Sequence, residues 1–124
     1  MTSLLPHLMF QGQLDAALTH WQGAFPDMVV TRTDGGDGPV TQANVVIAGQ
    51  AISVFDSPPV HDFTFTPSIS LMVCCDTRRE VDAIAAHLGD GGEVLMPLDA
   101  YDFSARFTWL NDRFGVSWQI MVAP

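Results

Sequence analysis

Short apolar runs alternate with polar breaks along the chain, and the runs carry two different periods. Leu4 to Phe10 is an apolar stretch ended by Gln11-Gly12, which predicts a buried strand, with Pro6 pointing to an edge position or an irregularity. Leu14, Ala17, Leu18, Trp21 and Phe25 then recur at helical spacing and predict an amphipathic helix that stops at Pro26. Met28 to Thr33 reads as a strand, and Asp34-Gly35-Gly36-Asp37-Gly38-Pro39 reads as a loop. Gln42 to Ala48 and Ala51 to Phe55 predict two more strands joined by a tight turn at Gly49-Gln50, before Asp56-Ser57-Pro58-Pro59 breaks the pattern.

The second half repeats the order. Ser68 to Cys75 reads as a strand. Thr77-Arg78-Arg79-Glu80 has the spacing of a capping box, Val81, Ile84, Ala85 and Leu88 form the apolar face of a helix, and Gly89 sits at its C-terminal cap. Glu93 to Leu98, Phe103 to Leu110 and Val116 to Val122 supply three further strands. Sliding one half over the other by 63 residues sets Leu8-Met9 on Leu71-Met72, Trp21 on Ile84, Phe25 on Leu88 and Asp56 on Gln119. The pattern therefore predicts a duplicated strand-helix-three-strand unit, about residues 1–60 and 64–124. Neither half can bury its sheet alone, so the expected class is α+β: two paired units with mainly antiparallel sheets and one helix per half on the outer face.

Composition narrows the function. Five Arg and no Lys face fourteen acidic residues, a formal net charge of −9. That leaves too few basic groups to displace counterions from nucleic acid, and it disfavours anionic membrane surfaces as well. No apolar run approaches the length of a spanning helix, and the N-terminus has no signal-peptide pattern, so a cytoplasmic protein is expected. The only cysteines, Cys74 and Cys75, are adjacent, which disfavours a disulfide. They read as small residues at the end of a buried strand, or alternatively as a vicinal redox pair. HExxH, CxxC, Walker, GxSxG and EF-hand patterns are all missing.

Several segments resemble the PhnB-like branch of the vicinal oxygen chelate superfamily, which holds the glyoxalase, bleomycin-resistance and dioxygenase proteins. They are Leu8-Met9-Phe10-Gln11-Gly12 with Asp15-Ala16-Ala17-Leu18, Asn44 to Gly49, Phe65 to Leu71, and Glu80-Val81-Asp82. The most specific is Trp109-Leu110-Asn111-Asp112-Arg113-Phe114-Gly115-Val116-Ser117-Trp118-Gln119-Ile120. The resemblance implies paired βαβββ units whose curved sheets enclose a cavity, usually in a homodimer. The branch is often labelled demethylubiquinone methyltransferase, yet the sequence contains no glycine-rich nucleotide loop for a methyl donor.

In metal-dependent members, the resemblance further implies, four inward positions on the first and last strands of each unit carry His, Glu or Gln. Carried over, these are Leu5 or His7, then Asp56, then Ser68 or Ser70, then Gln119. His7, Asp56 and Gln119 are the best metal set available, with a serine in fourth place, and that set is poor for a divalent ion. Strand parity places Ser68, Ser70, Met72 and Gln119 toward a cavity, with Ile69, Leu71, Val73, Trp118 and Ile120 toward a helix. Trp109 and Phe103 are candidates for the cavity wall, or else core or interface aromatics. Structural alternatives stand beside each candidate: His7 as a hydrogen-bonded core histidine, Asp56 as a turn cap, Gln119 as a partner for nearby backbone. Trp21 and Trp118 read as core, and His20, His61 and His87 as solvent-facing.

Three functions remain open on this reading. The first is a metal-free homodimer that binds a small molecule through His7, Asp56, Ser68, Ser70, Trp109 and Gln119. The second is a metal-dependent lyase, isomerase or dioxygenase using His7, Asp56 and Gln119. The third is a structural or regulatory dimer with a filled interior.

Overall fold

In each half an apolar strand runs into an amphipathic helix, and three more strands complete a sheet beneath it. The structure, a computed structural model, describes residues 1–124 and divides into two units, Met1–Phe63 and Thr64–Pro124. The first holds β1 (His7–Phe10), α1 (Leu14–Ala24), β2 (Val29–Arg32), β3 (Gln42–Ile47) and β4 (Gln50–Asp56). The second holds β5 (Leu71–Cys75), α2 (Arg78–Leu88), β6 (Glu93–Tyr101), β7 (Ser104–Asn111) and β8 (Ser117–Val122). Strand orders are β1-β4-β3-β2 and β5-β8-β7-β6. In each sheet the first strand lies parallel to the last, and the other pairs are antiparallel. This is the α+β arrangement of two mixed sheets with one helix each that the periodicity predicts.

The helix-facing side of each sheet is the core. In the first unit Leu14, Ala17, Leu18 and Trp21 of α1 are buried together with Phe10, Ala43, Val45, Ile47, Ile52 and Val54. Phe10 meets the Trp21 ring edge-on, with centroids 5.7 Å apart. In the second, Val81, Ala85 and Leu88 of α2 are buried with Leu110, Trp118 and Ile120. Trp21 and Trp118 are core residues, as read. Thr77 caps α2 by accepting from the Glu80 amide at 3.2 Å, the N-cap half of the capping box, and its hydroxyl donates to Glu80 Oε1 at 3.3 Å.

Some boundaries move, for local reasons. β1 begins only at His7 and β5 only at Leu71, so Ser68 and Ile69 belong to a turn in which Thr66 and Ser68 bond through their hydroxyls at 3.0 Å. The β3–β4 turn centres on Ala48-Gly49 rather than Gly49-Gln50, with φ of 48° and 84° and Ile47 paired to Gln50. A two-residue turn with both central residues at positive φ is the type that matches strand twist, and Gly49 supplies the freer of the two positions.

Candidate functional site

Each sheet has a second face, turned away from its helix, and the polar candidates are distributed by strand parity. In the first unit His7 pairs with Ser53 and Met9 with Phe55, so these four share the open face. His7 Nδ1 is hydrogen-bonded to Ser53 Oγ at 2.9 Å and is exposed, not a core histidine. Asp56 pairs with Phe10 and therefore stands on the opposite, helix-facing side. Its Oδ1 accepts the Gly12 amide at 2.7 Å and the Leu14 amide at 3.4 Å, at the start of α1. Gln13 at the N-cap makes no side-chain cap bond, so Asp56 provides from β4 the acceptor that the helix start lacks.

The placement of Asp56 beside His7 is thus corrected by one residue of register. Met9 and Met72 are offset by 63 residues on the first strands, but Phe55 and Gln119, which pair with them, are offset by 64. A single-residue slip reverses a strand's faces, so Phe55, not Asp56, is the counterpart of Gln119.

The second unit gathers its candidates into one row. Met72 pairs with Gln119 and Trp109 with Gln119, placing all three on the open face; continuing the register brings Ser70 opposite Ser117. The Trp109 Nε1–H donates to Ser117 Oγ at 2.9 Å, Ser117 and Ser70 share a hydroxyl bond of 2.7 Å, and Gln119 Nε2 donates to Ser70 Oγ at 3.4 Å. Gln119 thus bonds to a side chain of the row. Ser117 is the member sequence reasoning missed, although its parity with Gln119 on the same strand marked it. Ser68 does not join the row.

The loop beyond this row explains the Asn111-Asp112-Arg113-Phe114-Gly115 segment. Asp112 is 3% exposed; its Oδ1 accepts the amides of Phe114 (2.9 Å) and Val116 (3.0 Å), and its Oδ2 accepts Trp118 Nε1–H at 2.9 Å. The signal was in the sequence: an acidic residue between strands, two before an amide it can accept, is an Asx-type turn. Phe103 lies at the β6–β7 hairpin, half exposed, stacked on Tyr101 and edge-on to Phe107.

Other groups stand outside the hydrogen-bonded candidates described above. His61 is exposed and bonded to Ser57 Oγ at 3.1 Å, while His20 and His87 are half-buried, so the solvent-facing reading of the last two is corrected. The segment carrying His61 folds back on Gln11, which donates to Phe63 O and accepts the His61 amide. Cys74 is exposed and Cys75 buried, because alternation along β5 sends them to opposite faces. Burial pushes the Cys75 thiol up to about 11, with Glu80 and the neighbouring acidic groups adding to it. On the helix side, a groove of about 660 Å³ lies between α2 and β6–β7, and one of about 430 Å³ between α1, Val30 and Val40. Neither is lined by any of the candidate residues.

A metal of the kind used by the superfamily can be tested against these donors. On the open faces the row offers hydroxyls, an amide and an indole, and the first unit offers the single imidazole of His7, while the Asp56 carboxylate serves α1. No three His, Cys, Asp or Glu side chains converge anywhere in the chain. This donor set does not fit a divalent first-row ion.

Comparison with known proteins agrees with the architecture. Residues 2–121 match the family described as 3-demethylubiquinone-9 3-methyltransferase. A PhnB protein from Bacillus cereus, described as a putative 3-demethylubiquinone-9 3-methyltransferase, is 36% identical, with 98% of this chain and 100% of that one covered and a TM-score of 0.84. Two more distant structures share the fold. The fosfomycin resistance protein FosX from Listeria monocytogenes is 14% identical, with 100% and 93% covered and a TM-score of 0.69. A glyoxylase/bleomycin resistance protein/dioxygenase domain from Frankia is 15% identical, with the same coverage and a TM-score of 0.72. No curated protein matches the sequence. The chain belongs to the PhnB-like family that carries the 3-demethylubiquinone-9 3-methyltransferase description, and it has the fold of the fosfomycin-resistance and glyoxylase/bleomycin-resistance structures.

Proposed function

We propose that the protein is a metal-free module that binds a small molecule on its open sheet faces and acts as a homodimer. The observation that carries this reading is the donor set: Ser70, Ser117, Gln119 and Trp109 are neutral and already hydrogen-bonded to one another, and His7 bonds to a serine. Such a surface, apolar with a few convergent polar groups, suits recognition better than Lewis-acid catalysis. Met72, Met9 and Phe55 supply apolar area beside these groups. The binding set in the second unit is therefore Ser70, Trp109 and Gln119, with Ser117 added, and in the first unit it is His7 on that sheet's own open face; Asp56 organises α1, and Ser68 lies in a turn. Homodimer formation is supported by apolar side chains left open on the same faces, Val46 and Met72 among them. The free thiols of Cys74 and Cys75 suit a reducing, cytoplasmic compartment.

Elemental analysis of the purified protein, followed by calorimetric titration with Zn²⁺, Ni²⁺ and Mn²⁺, tests the metal-free reading. The expected result is no stoichiometric ion and only weak heats. One tightly held ion per chain overturns it. A metal-dependent lyase, isomerase or dioxygenase requires His7→Ala to abolish both ion binding and turnover.

A further inference from the structure

The hydrogen-bond polarity of the row in the second unit can be worked out from its hydrogens. Ser117 is 2% exposed and accepts from Trp109, so it has one hydrogen to place and little access to water. If Ser70 donated to Ser117, the Ser117 hydrogen would be buried without an acceptor, which costs about 1–3 kcal/mol. The favoured order is therefore Trp109 to Ser117 to Ser70, with Ser70 also accepting from Gln119. Both lone pairs of Ser70 are then filled, and its own hydroxyl hydrogen is left to point outward from a half-buried position. Beside it, Gln119 Oε1 is a ready acceptor. The one buried side-chain polar atom in the chain with no hydrogen-bond partner, Asn111 Oδ1, belongs to the residue paired directly with Ser117 on this face. The row thus offers one fixed donor flanked by acceptors, and it contains no charged group. The nearest charge by register is Glu93, opposite Asn111 on the outer strand.

We infer that this row recognises an uncharged ligand edge that pairs an acceptor with an adjacent N–H or O–H donor, as a carboxamide or lactam does. The carbonyl oxygen takes the Ser70 hydroxyl, the N–H goes to Gln119 Oε1 or to Asn111 turned outward, and the body of the ligand lies along Trp109 and Met72. A carboxylate would face Gln119, Asn111 and Glu93 oxygens with no counter-charge, and a cation would leave the Ser70 hydrogen unmatched. The inference rests on the small-molecule reading of this same face and adds the ligand's chemical class to it.

Isotope-labelled full-length protein titrated with benzamide, benzoate and benzylamine tests it, with the Trp109 indole N–H signal as readout, assigned by its loss in Trp109→Phe. Benzamide is expected to move that signal and to bind about tenfold more tightly than either charged probe, the value of one well-made hydrogen bond. Ser70→Ala is expected to erase the preference and Ser70→Thr to restore it, with the remaining amide signals reporting that each variant is folded. Gln119→Met, which keeps the strand and loses the acceptor, is expected to weaken benzamide alone. Equal or tighter binding of benzoate or benzylamine overturns the assignment and leaves the small-molecule reading standing, as does benzamide binding that Ser70→Ala leaves unchanged. No response of the Trp109 signal to any probe also overturns the assignment. The small-molecule reading falls separately, if native mass spectrometry of the purified protein shows no ligand and no probe shifts any signal on either open face.

Discussion

Single side chains carry two structural decisions that the pattern of apolar positions does not express. Asp112 holds the β7–β8 connection by two backbone amides and the Trp118 indole, all in a site closed to water. Removing the carboxylate strands three donors, so Asp112→Ala is expected to lower unfolding stability by about 3 kcal/mol in urea denaturation. Asp112→Asn, which retains one oxygen but presents N–H to the Trp118 N–H, should fall between the two. A change below the error of the midpoint would show that the loop holds without it. The cysteines divide by the same logic of position. Cys75 is 4% exposed with its thiol pushed up to about 11, whereas Cys74 is open. Maleimide at neutral pH should therefore label one thiol rapidly, and Cys74→Ser should abolish that fast phase while Cys75→Ser leaves it. The Asx-type turn at Asp112 was legible from its place between strands, but its bond to the Trp118 indole and the reach of Asp56 to α1 were not, because each depends on which groups the fold brings within hydrogen-bond distance.

At the level of elements the sequence was far more informative. Both helices, their buried faces and the Thr77 cap follow from spacing alone, and α2 ends at Leu88 before Gly89 as read. Every strand is present within a few residues of its expected bounds, since alternation survives uncertainty at the ends. Register is where legibility stopped. Placing the first hairpin turn one residue late gave no sign of error in β3 or β4 separately, yet the repeat carried Asp56 onto Gln119 when the paired strands differ by one in offset. Turn geometry sets that parity, and Ala48 at positive φ is an unusual choice for its first position. The loop at 33–41 shows what a glycine-rich break can still hold. Asp34 accepts from Arg32 Nε and Nη2, both at 3.0 Å, and from the amides of Gly36 and Thr41. The Arg32 guanidinium, with those amides, holds the Asp34 carboxyl well below the usual carboxylate range. Its folded-state affinity for a proton is lower than in the unfolded chain, so the contribution is complete above the ordinary carboxylate value of about 4 and is lost as the pH falls from there toward the folded-state value. Protection factors of the Gly36 and Thr41 amides, with the intrinsic pH dependence of exchange divided out, should accordingly be high near neutrality and fall in strong acid. In Asp34→Asn they should be low at every pH; protection that ignores both the pH and the substitution would remove Asp34 as the organiser of this loop.

For the molecule as a whole, duplication solves one burial problem and leaves another. Each unit covers one side of its sheet with a helix, while the other side carries side chains that a solitary sheet would leave wet: Val29 is 56% exposed and Val46 39% on the first, and Met72 56% on the second. Val29 and Val46 are cross-strand partners, so their exposed area is contiguous rather than scattered. Burying such area is worth roughly 25 cal/mol per Å², and a self-complementary face in a two-fold pair counts every residue twice, which is the physical argument behind the proposed homodimer. A net charge of −9 opposes it, since two copies repel, and added salt should therefore strengthen association rather than weaken it. Val46→Glu sets a carboxylate on that face without touching the helix-side core, where Val45 and Ile47 are buried. Light scattering at micromolar concentration should give a dimer for the parent and a shift toward monomer for Val46→Glu, with the circular dichroism of both unchanged. A monomeric parent at all salt concentrations would refute the dimer. A dimer indifferent to Val46→Glu would move the interface away from this face, and the charge of the buried surface, read from the salt dependence, would indicate where it lies.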